Sequence, residues 1–248
     1  MLDTKGNKIT YFGHATFSLT TAAGSVAIID PWVMNNPRCP KELKKVEKLD
    51  VIFVSHGHSD HIGDLLELAK KHKPKVVAMV ETCGWLGTKE LEKEVAPMNK
   101  GGTQKVGEFS VTLTHAFHSN GIEDGEKMVY GGEPAGLIIR MPGGFTIYHA
   151  GDTCVFGDMK LIGELYSPDV AMLPIGDHYT MGPREAAYAV KLLGVKDVIP
   201  MHYATFPVLT GTPEELRKEC AGIAGLTIHA LKPGESLART AGARGGND

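Results

Sequence analysis

The residues with the clearest chemical potential lie in one run, His56-Gly57-His58-Ser59-Asp60-His61. Imidazole nitrogens and carboxylate oxygens are ligands that divalent transition metals bind at about 2.0 to 2.2 Å. Histidines two positions apart at the end of a strand can face one ion, and Gly57 between them would permit a sharp turn. Asp60 and His61 would then face a neighbouring point, so the run predicts two metal ions close together.

Two complete metal sites need more ligands than this run provides, so other His or Asp side chains must join it. The chain offers candidates that each follow the end of a predicted strand: His118, Asp152 and His202. In α/β folds, sites form where the loops at one edge of the sheets converge. We therefore expect these side chains to complete the two sites.

The predicted elements that would position these residues are strands first, then alternating strands and helices. The strands are Lys8–Tyr11, Thr16–Thr20, Val26–Asp30, Asp50–Ser55, Lys75–Val80, Gly107–His115, Leu137–Met141, Phe145–His149, Val170–Pro174 and Asp197–Pro200, and the helices are Gly63–His72, Cys83–Glu94, Pro183–Leu193 and one that begins at Thr212. The Asp50–Ser55 stretch has the β-branched, apolar centre of a strand buried on both faces, and it ends at the histidine run. Two successive halves of this kind predict an α/β fold, an αββα sandwich of two facing mixed β-sheets with helices on the outer faces.

The composition of the chain limits its partners. The 248 residues have a net charge of −3, and the 26 Lys and Arg are spread along the chain without the basic stripe typical of nucleic-acid binding. No signal peptide or apolar run of about 20 residues indicates a membrane partner. Because the four cysteines are far apart and suit reduced thiols, we expect a cytoplasmic location. We also expect a single domain over residues 1–237 and a disordered tail over residues 238–248.

The ligand candidates and their order resemble the metallo-β-lactamase superfamily. The HxHxDH run at residues 56–61 is followed by His118, Asp152 and His202, as is usual in that superfamily. Further stretches are similar to one branch, the mostly uncharacterised metal-dependent hydrolases related to L-ascorbate-6-phosphate lactonase: Tyr11-Phe12-Gly13-His14, Ile29-Asp30-Pro31, Gly131-Gly132-Glu133-Pro134-Ala135-Gly136, Tyr148-His149-Ala150-Gly151-Asp152-Thr153, Pro174-Ile175-Gly176-Asp177-His178-Tyr179-Thr180-Met181 and Ile199-Pro200-Met201-His202-Tyr203. The resemblance implies the metallo-β-lactamase fold.

The resemblance also implies a role for each ligand candidate. The first metal would be bound by His56, His58 and His118, and the second by Asp60, His61 and His202, with Asp152 bridging both. Asp30 would lie behind the ligands and orient the HxHxDH loop. Two cations lower the pKa of a shared water towards neutrality, so the nucleophile would be a hydroxide bridging the two ions. Asp60, if it contacts that water, would accept its proton and return it to the leaving group.

Several residues inside the similar stretches are compatible with either a functional or a structural role. His14 and His178 are candidate catalytic or substrate-lining residues, with a structural role as the alternative. His149 is interpreted as a residue behind the ligands or a packing residue, and Cys154 as a buried neutral thiol. The Gly131-Gly132-Glu133 stretch lacks the lysine and the helix of a phosphate loop, and it predicts a glycine turn near the site.

The activity that fits these expectations is hydrolysis of a small ester, lactone or phosphoester. Zinc is the expected metal, with manganese, iron and nickel open because His and carboxylate ligands accept all of them. The alternatives are a nuclease or phosphodiesterase acting on nucleic acid, a di-iron redox protein, and a non-catalytic metal-binding module. A nuclease of this kind usually needs a basic arm, and the redox proteins resemble HxExD where this chain has HxHxDH. The oligomeric state is open, with a homo-oligomer as one alternative.

Overall fold

Two mixed β-sheets and a separate hairpin organise residues 2–238, the residues that the computed structural model describes. The strands are β1 (Lys8–Gly13), β2 (Thr16–Thr20), β3 (Val26–Ile29), β4 (Val51–Phe53), β5 (Lys75–Met79), β6 (Val95–Met98), β7 (Thr103–Val106), β8 (Phe109–His115), β9 (Gly121–Asp124), β10 (Lys127–Tyr130), β11 (Ala135–Arg140), β12 (Thr146–His149), β13 (Val170–Pro174), β14 (Asp197–Met201), β15 (Thr227–Ile228) and β16 (Ser236–Ala238). Among these residues, seven strands form the first sheet, in the order β16-β1-β2-β3-β4-β5-β6, and seven form the second, in the order β15-β14-β13-β12-β11-β8-β7. The hairpin consists of β9 and β10.

Each sheet is antiparallel on one side and parallel on the other. In the first sheet, β16, β1, β2 and β3 pair antiparallel, and β3, β4, β5 and β6 pair in parallel. In the second sheet, β7, β8, β11 and β12 pair antiparallel, and β12, β13, β14 and β15 pair in parallel. As a result β8, β12 and β14 run in the same direction. The segments that follow them, which contain the predicted ligands, therefore begin at one edge of the second sheet.

Helices cover the outer face of each sheet. They are α1 (Ser59–Ile62), α2 (Leu65–His72), α3 (Val80–Gly87), α4 (Met159–Tyr166), α5 (Pro183–Leu193) and α6 (Pro213–Glu219). Apolar residues of α2 and α3 pack on the first sheet, and those of α4, α5 and α6 pack on the second. Over residues 2–238, no helix combines the length and apolar character that crossing a membrane requires, and the longest, α5, has 11 residues.

Period-two alternation along the strands divides the apolar side chains between the layers. In β4, Val51 and Phe53 belong to the core between the two sheets, whereas Ile52 belongs to the core under α2 and α3. In β13, Met172 faces the first sheet, and Leu173 packs under the helices of the second. Both sheets are thus buried on two sides, which confirms the predicted αββα sandwich of two facing mixed sheets.

Several predicted elements differ from the structure. The helix expected over Cys83–Glu94 is wrong, because α3 covers Val80–Gly87 and residues 88–94 form turns that lead into β6. The sequence patterns do not predict β6, whose proline is tolerated because this strand lies at the edge of its sheet. They also do not predict β7, α4 or the β9–β10 hairpin. Ala238, predicted to begin the disordered tail, lies in β16, and residues 239–248 of the predicted tail lie outside the described residues.

Candidate metal centre

The histidine run follows β4, and its first two histidines lie in the loop that precedes α1. His56 Nε2 and His58 Nδ1 face each other at 3.0 Å. Their other ring nitrogens contact hydroxyl groups, since His56 Nδ1 is 3.0 Å from Ser55 Oγ and His58 Nε2 is 3.2 Å from Ser119 Oγ. The two facing nitrogens are therefore the ones available to a metal ion.

Gly57 lies where the β9–β10 hairpin packs against this loop. It does not have a left-handed φ, so a backbone conformation that only glycine favours is not the reason for a glycine here. Instead, a Cβ at Gly57 would collide with Ile122 Cγ1 and lie 3.0 Å from Asn120 Oδ1. Asn120, which sequence analysis did not identify, accepts a hydrogen bond from Gly57 N at 2.6 Å and donates one from Nδ2 to Gly131 O at 2.9 Å. The glycine is required for this close contact between the loop and the hairpin.

Asp30 lies behind the loop and is fully buried. Its Oδ1 accepts a hydrogen bond from Ser55 N at 2.7 Å, and its Oδ2 accepts from Ser55 Oγ at 2.6 Å and from His61 Nδ1 at 2.8 Å. Because the Nδ1 of His61 donates to Asp30, its Nε2, 3.3 Å from Asp152 Oδ1, is the nitrogen left for a metal ion. Asp30 also lies near His56, but its oxygens are already occupied by these donors. The contacts orient His61 as a ligand.

Over residues 2–238, candidate ligand atoms form three groups, and within each group the atoms lie within 4.8 Å of one another. One group, Asp30, His56 and His61, is the buried set behind the loop, in which the Asp30 oxygens already accept hydrogen bonds. The other two groups are His56, His58 and His118, and His14, Asp60, His61 and His202. The first of these two contains the three residues that the sequence resemblance assigns to one metal. The second contains the three residues assigned to the other metal, together with His14.

Asp152 lies between the two groups and is 3% exposed. Its carboxylate oxygens are 3.9 Å from His56 Nε2 and 3.5 Å from His118 Nε2 on one side. On the other side they are 3.3 Å from His61 Nε2 and 3.0 Å from His202 Nε2. This is the position in which a carboxylate can contact two ions.

His61 Nε2, His202 Nε2 and Asp152 Oδ1 are buried, and although ion-pair distances of 3.0 to 3.3 Å join the two histidines to Asp152, none of the three atoms makes a hydrogen bond within residues 2–238. Buried polar groups are nearly always paired, because an unpaired one costs about 1–3 kcal/mol. Imidazole nitrogens and carboxylate oxygens are ligands for divalent transition metals, so ions bound between the groups would satisfy these atoms. The donor set fits metal binding.

The two groups differ in their protonation. Burial lowers the pKa of His56, His58 and His118, so these rings are neutral near pH 7 and can bind a metal without losing a proton. Burial also acts to lower the pKa of His202, but the Asp152 carboxylate outweighs this effect and raises the pKa to about 9. Burial likewise acts to lower the pKa of His61, but the Asp152 and Asp60 carboxylates outweigh it and raise that pKa well above its ordinary value. A metal ion at the second group would therefore displace protons from His202 and His61.

Comparisons with known proteins agree with this fold. A family profile, the beta-lactamase superfamily domain, matches residues 26–203. The chain belongs to this superfamily. A UPF0173 metal-dependent hydrolase of Koribacter versatilis is 56% identical over 235 residues, which cover 95% of this chain and 99% of the relative. Another from Rubrobacter xylanophilus is 52% identical, over 94% of this chain and 96% of the relative.

Solved structures of the superfamily include one that is similar over nearly the whole length. A metallo hydrolase from the archaeon Ignicoccus hospitalis has a TM-score of 0.83 and 36% sequence identity, and the match covers 94% of this chain and 98% of that one. The predicted superfamily and its fold are therefore confirmed. The relation to L-ascorbate-6-phosphate lactonase stays a prediction.

In this member of the superfamily, His14 is buried against the second ligand group. Its Nε2 is 3.0 Å from Asp60 Oδ2, and its Nδ1 is 2.9 Å from Thr205 Oγ1. Burial and the nearby His202 lower the pKa of His14 to about 4, so the ring is neutral. Burial acts to raise the pKa of Asp60, but His61 and His14 outweigh it and keep this carboxylate ionised. His14 therefore holds its proton on Nε2 and donates it to Asp60, which positions that carboxylate.

His178 is exposed and belongs to neither ligand group. Its backbone N–H donates to Asp177 Oδ1 at 2.7 Å, and its ring packs at 4.4 Å against the ring of Tyr179. Tyr179, rather than His178, lines the cavity above the ligands. The structure thus brings His14 to the ligand cluster but does not bring His178 there.

The remaining candidates lie outside the ligand groups. Cys154 is exposed, so the expectation of a buried thiol is wrong; the adjacent Thr153 is the buried side chain. His149 is fully buried, with Nε2 3.0 Å from Ala15 O and Nδ1 accepting from Gly151 N at 3.2 Å. Gly132 has a left-handed φ of 85°, as a glycine turn between β10 and β11 requires.

Proposed function

We propose that the protein is a hydrolase that binds two divalent transition-metal ions, with zinc as the expected ion, and cleaves a small ester, lactone or phosphoester. The observation that carries this proposal is the set of buried atoms, His61 Nε2, His202 Nε2 and Asp152 Oδ1, that make no hydrogen bond within residues 2–238 and lie between two groups of ligands. The name "metal-dependent hydrolase" of the relatives that are 52% to 56% identical supports it.

The proposed ligands are those that the geometry groups together. One ion would be held by His56, His58 and His118, the other by Asp60, His61 and His202, with Asp152 in contact with both. Two bound cations would lower the pKa of a shared water towards neutrality and so supply hydroxide at neutral pH.

Other residues act on these ligands and on protons. Asp30 holds the Nδ1 proton of His61, and His14 holds Asp60 through its Nε2 proton. The Asp60 side chain is 25% exposed and lines the cavity, so it can reach a substrate or an attacking water. Because Asp60 is ionised, we propose that it accepts the proton of the attacking water and returns it to the leaving group.

We also propose that the substrate is a small molecule rather than nucleic acid and that the enzyme is cytoplasmic. The cavity above the ligands has a volume of about 660 Å³, which suits a small molecule. Within the described part of the chain its lining contains no lysine or arginine, the residues that bind a nucleic-acid backbone.

Metal analysis followed by activity assays tests the proposal. The purified protein should contain two equivalents of a divalent transition metal, and it should hydrolyse members of a panel of lactones, thioesters and phosphodiesters. His58→Ala should reduce kcat/KM at least about 100-fold on every substrate found. His115→Ala is the matched control, because His115 is exposed at the end of β8 and belongs to neither ligand group. Equal rates for the wild-type and His58→Ala proteins would refute the assigned site.

A further inference from the structure

The walls of the cavity above the ligands differ sharply in chemistry. Part of the lining consists of the proposed ligands His58, Asp60, His118, Asp152 and His202. The rest includes Glu123, Met128, Tyr179, Phe206, Pro207 and Val208. A molecule bound at the ligands must therefore place the rest of its surface against apolar groups and one carboxylate.

The β9–β10 hairpin fixes Glu123 and Met128 on this wall. The two residues are directly paired across the hairpin, so their side chains project from the same face. The neighbouring pair, Ile122 and Val129, projects from the other face and packs into the core under α2 and α3. The Asp124 carboxylate anchors the hairpin.

That anchor consists of two hydrogen bonds to α3 and the turn after it. Trp85 Nε1 donates to Asp124 Oδ2 at 3.0 Å, and Lys89 Nζ donates to Asp124 Oδ1 at 2.7 Å. Together with the contacts of Asn120 beneath the hairpin, these bonds hold the wall in place. The position of Glu123 follows from the fold and does not depend on a ligand.

The second wall segment, residues 203–208, contributes exposed apolar surface. The ring of Phe206 stacks on Trp32 with centroids 6.0 Å apart and lies 5.6 Å from the ring of His14. Beside it, Val208 is 42% exposed, and Tyr179 is 57% exposed. When a ligand covers exposed apolar surface around a cavity, the removal of that surface from water favours binding. The wall favours a substrate with an apolar body.

Glu123 differs from the other acidic residues of this region. Asp124 is paired with Lys89, and Glu133 is paired with Lys100 at 2.6 Å. Over residues 2–238, Glu123 forms no ion pair within 4.0 Å and no hydrogen bond, and the cavity lining contains no lysine or arginine. Its charge does act on His58 across the cavity, where it raises the pKa of that ring against the effect of burial. An anionic group of a substrate would therefore meet a like charge here, whereas a neutral or cationic group would not.

We propose that the substrate is a carboxylic ester or lactone with an apolar acyl or ring portion and without an anionic substituent, and that Glu123 favours a cationic one. The proposal rests on the proposed hydrolase function and narrows its substrate class. The reaction is ordinary hydrolysis, in which water forms the new acyl C–O bond, the ester C–O bond breaks, and the proton of the water passes to the leaving oxygen. A phosphorylated sugar lactone is disfavoured by the same argument.

Three 4-nitrophenyl esters of equal acyl length test this, ending in a methyl, a trimethylammonium or a carboxylate group. With the zinc-loaded protein at low ionic strength, kcat/KM should be at least about tenfold higher for the methyl and trimethylammonium esters than for the carboxylate ester. Glu123→Lys should shift the ratio of cationic to anionic ester by at least about tenfold, and Glu123→Gln by less. Glu126→Lys is the matched control, because Glu126 lies in the turn of the same hairpin and does not line the cavity.

The outcomes separate the two proposals. If the carboxylate ester reacts as well as the others, or if Glu123→Lys behaves like Glu126→Lys, the substrate class is wrong while the hydrolase function stands. If none of the esters reacts, the proposed ester hydrolysis fails. In that case calorimetric titration with the three corresponding anilides measures binding affinity, which tests the charge preference without turnover. Weakest binding of the carboxylate anilide would support that preference, and equal binding would overturn it.

Discussion

Asp30→Asn should weaken metal binding without removing any ligand. In the wild-type protein, the Asp30 carboxylate accepts three hydrogen bonds, two from Ser55 and one from His61 Nδ1. An asparagine that keeps its oxygen towards Ser55 N must direct its NH₂ group at His61 Nδ1. Two donors then face each other, unless the imidazole moves its proton to Nε2 and accepts at Nδ1. With that proton, Nε2 is no longer the nitrogen left for a metal ion.

The size of the effect follows from the role of Asp30 behind the ligand. Replacing a residue that orients a metal-bound histidine typically lowers affinity about 10-fold to 100-fold, which corresponds to about 1.4 to 2.7 kcal/mol. The loss should fall on the ion held with His61, while the group of His56, His58 and His118 keeps its ligands. Folding stability should decrease as well, because hydrogen bonds to a charged acceptor contribute about 1.5 to 3 kcal/mol each.

Competition with a chromophoric zinc chelator measures both binding steps. Asp64→Asn is the matched control, because Asp64 is also buried and accepts hydrogen bonds from the backbone of Val33 and Met34, but contacts no histidine. The control should lose stability and retain both zinc affinities. The reasoning is refuted if Asp30→Asn binds two zinc ions as tightly as the wild type, or if Asp64→Asn loses the same affinity.

Three further predictions concern stability. Gly57→Ala should lower the free energy of unfolding, measured by urea denaturation, by about 1 to 3 kcal/mol, because the new Cβ would collide with Ile122. Gly84→Ala in α3 is the control, since its Cβ would enter open space and the change should not be destabilising. Burial lowers the pKa of His149 below its unfolded value of about 6.5. The free energy of unfolding should therefore decrease as the pH falls below about 6.5, by at most about 1.4 kcal/mol per pH unit for this group. A wild-type plot of unfolding free energy against pH that is no steeper than that of His149→Gln would contradict this. Removing metal with a chelator should lower the midpoint temperature of unfolding in calorimetry, because zinc at 100 times its Kd stabilises the folded protein by about 2.7 kcal/mol. An unchanged midpoint temperature would argue against bound metal.

The fold, and the fact that the candidate ligands lie close together, were predictable because both depend on local patterns. The β-branched, apolar centre of Asp50–Ser55 indicates a strand buried on both faces, and in the structure Ile52 faces the helices while its neighbours face the second sheet. Ligands at strand ends converge because β8, β12 and β14 run in the same direction. The convergence of the candidate ligands is a consequence of sheet topology, and each of these three strands was predicted from its own sequence pattern.

The cavity wall was not predictable, because only tertiary contacts bring its residues together. Asn120 supports Gly57 from 63 positions along the chain, and the pattern around either residue does not indicate the other. The β9–β10 hairpin has only four residues in each strand, too few for a clear alternation. Glu123 reads as an ordinary surface carboxylate until the hairpin register places it beside Met128 over the ligands.

Three of the ten non-glycine residues with left-handed backbones in the described part of the chain lie at the site. His14, Asp30 and His202 follow the ends of β1, β3 and β14, and all have left-handed backbones, with φ of 59°, 48° and 55°. Each such residue costs about 1 to 2 kcal/mol, so the surrounding contacts must hold it. His202 N donates to His14 O at 2.8 Å, which ties the first sheet to the second at the ligands, and Asp30 is held by its three side-chain donors. The same contacts that offset the strain also direct these side chains towards one centre, and loss of any of them should relax the backbone and the ligand geometry together.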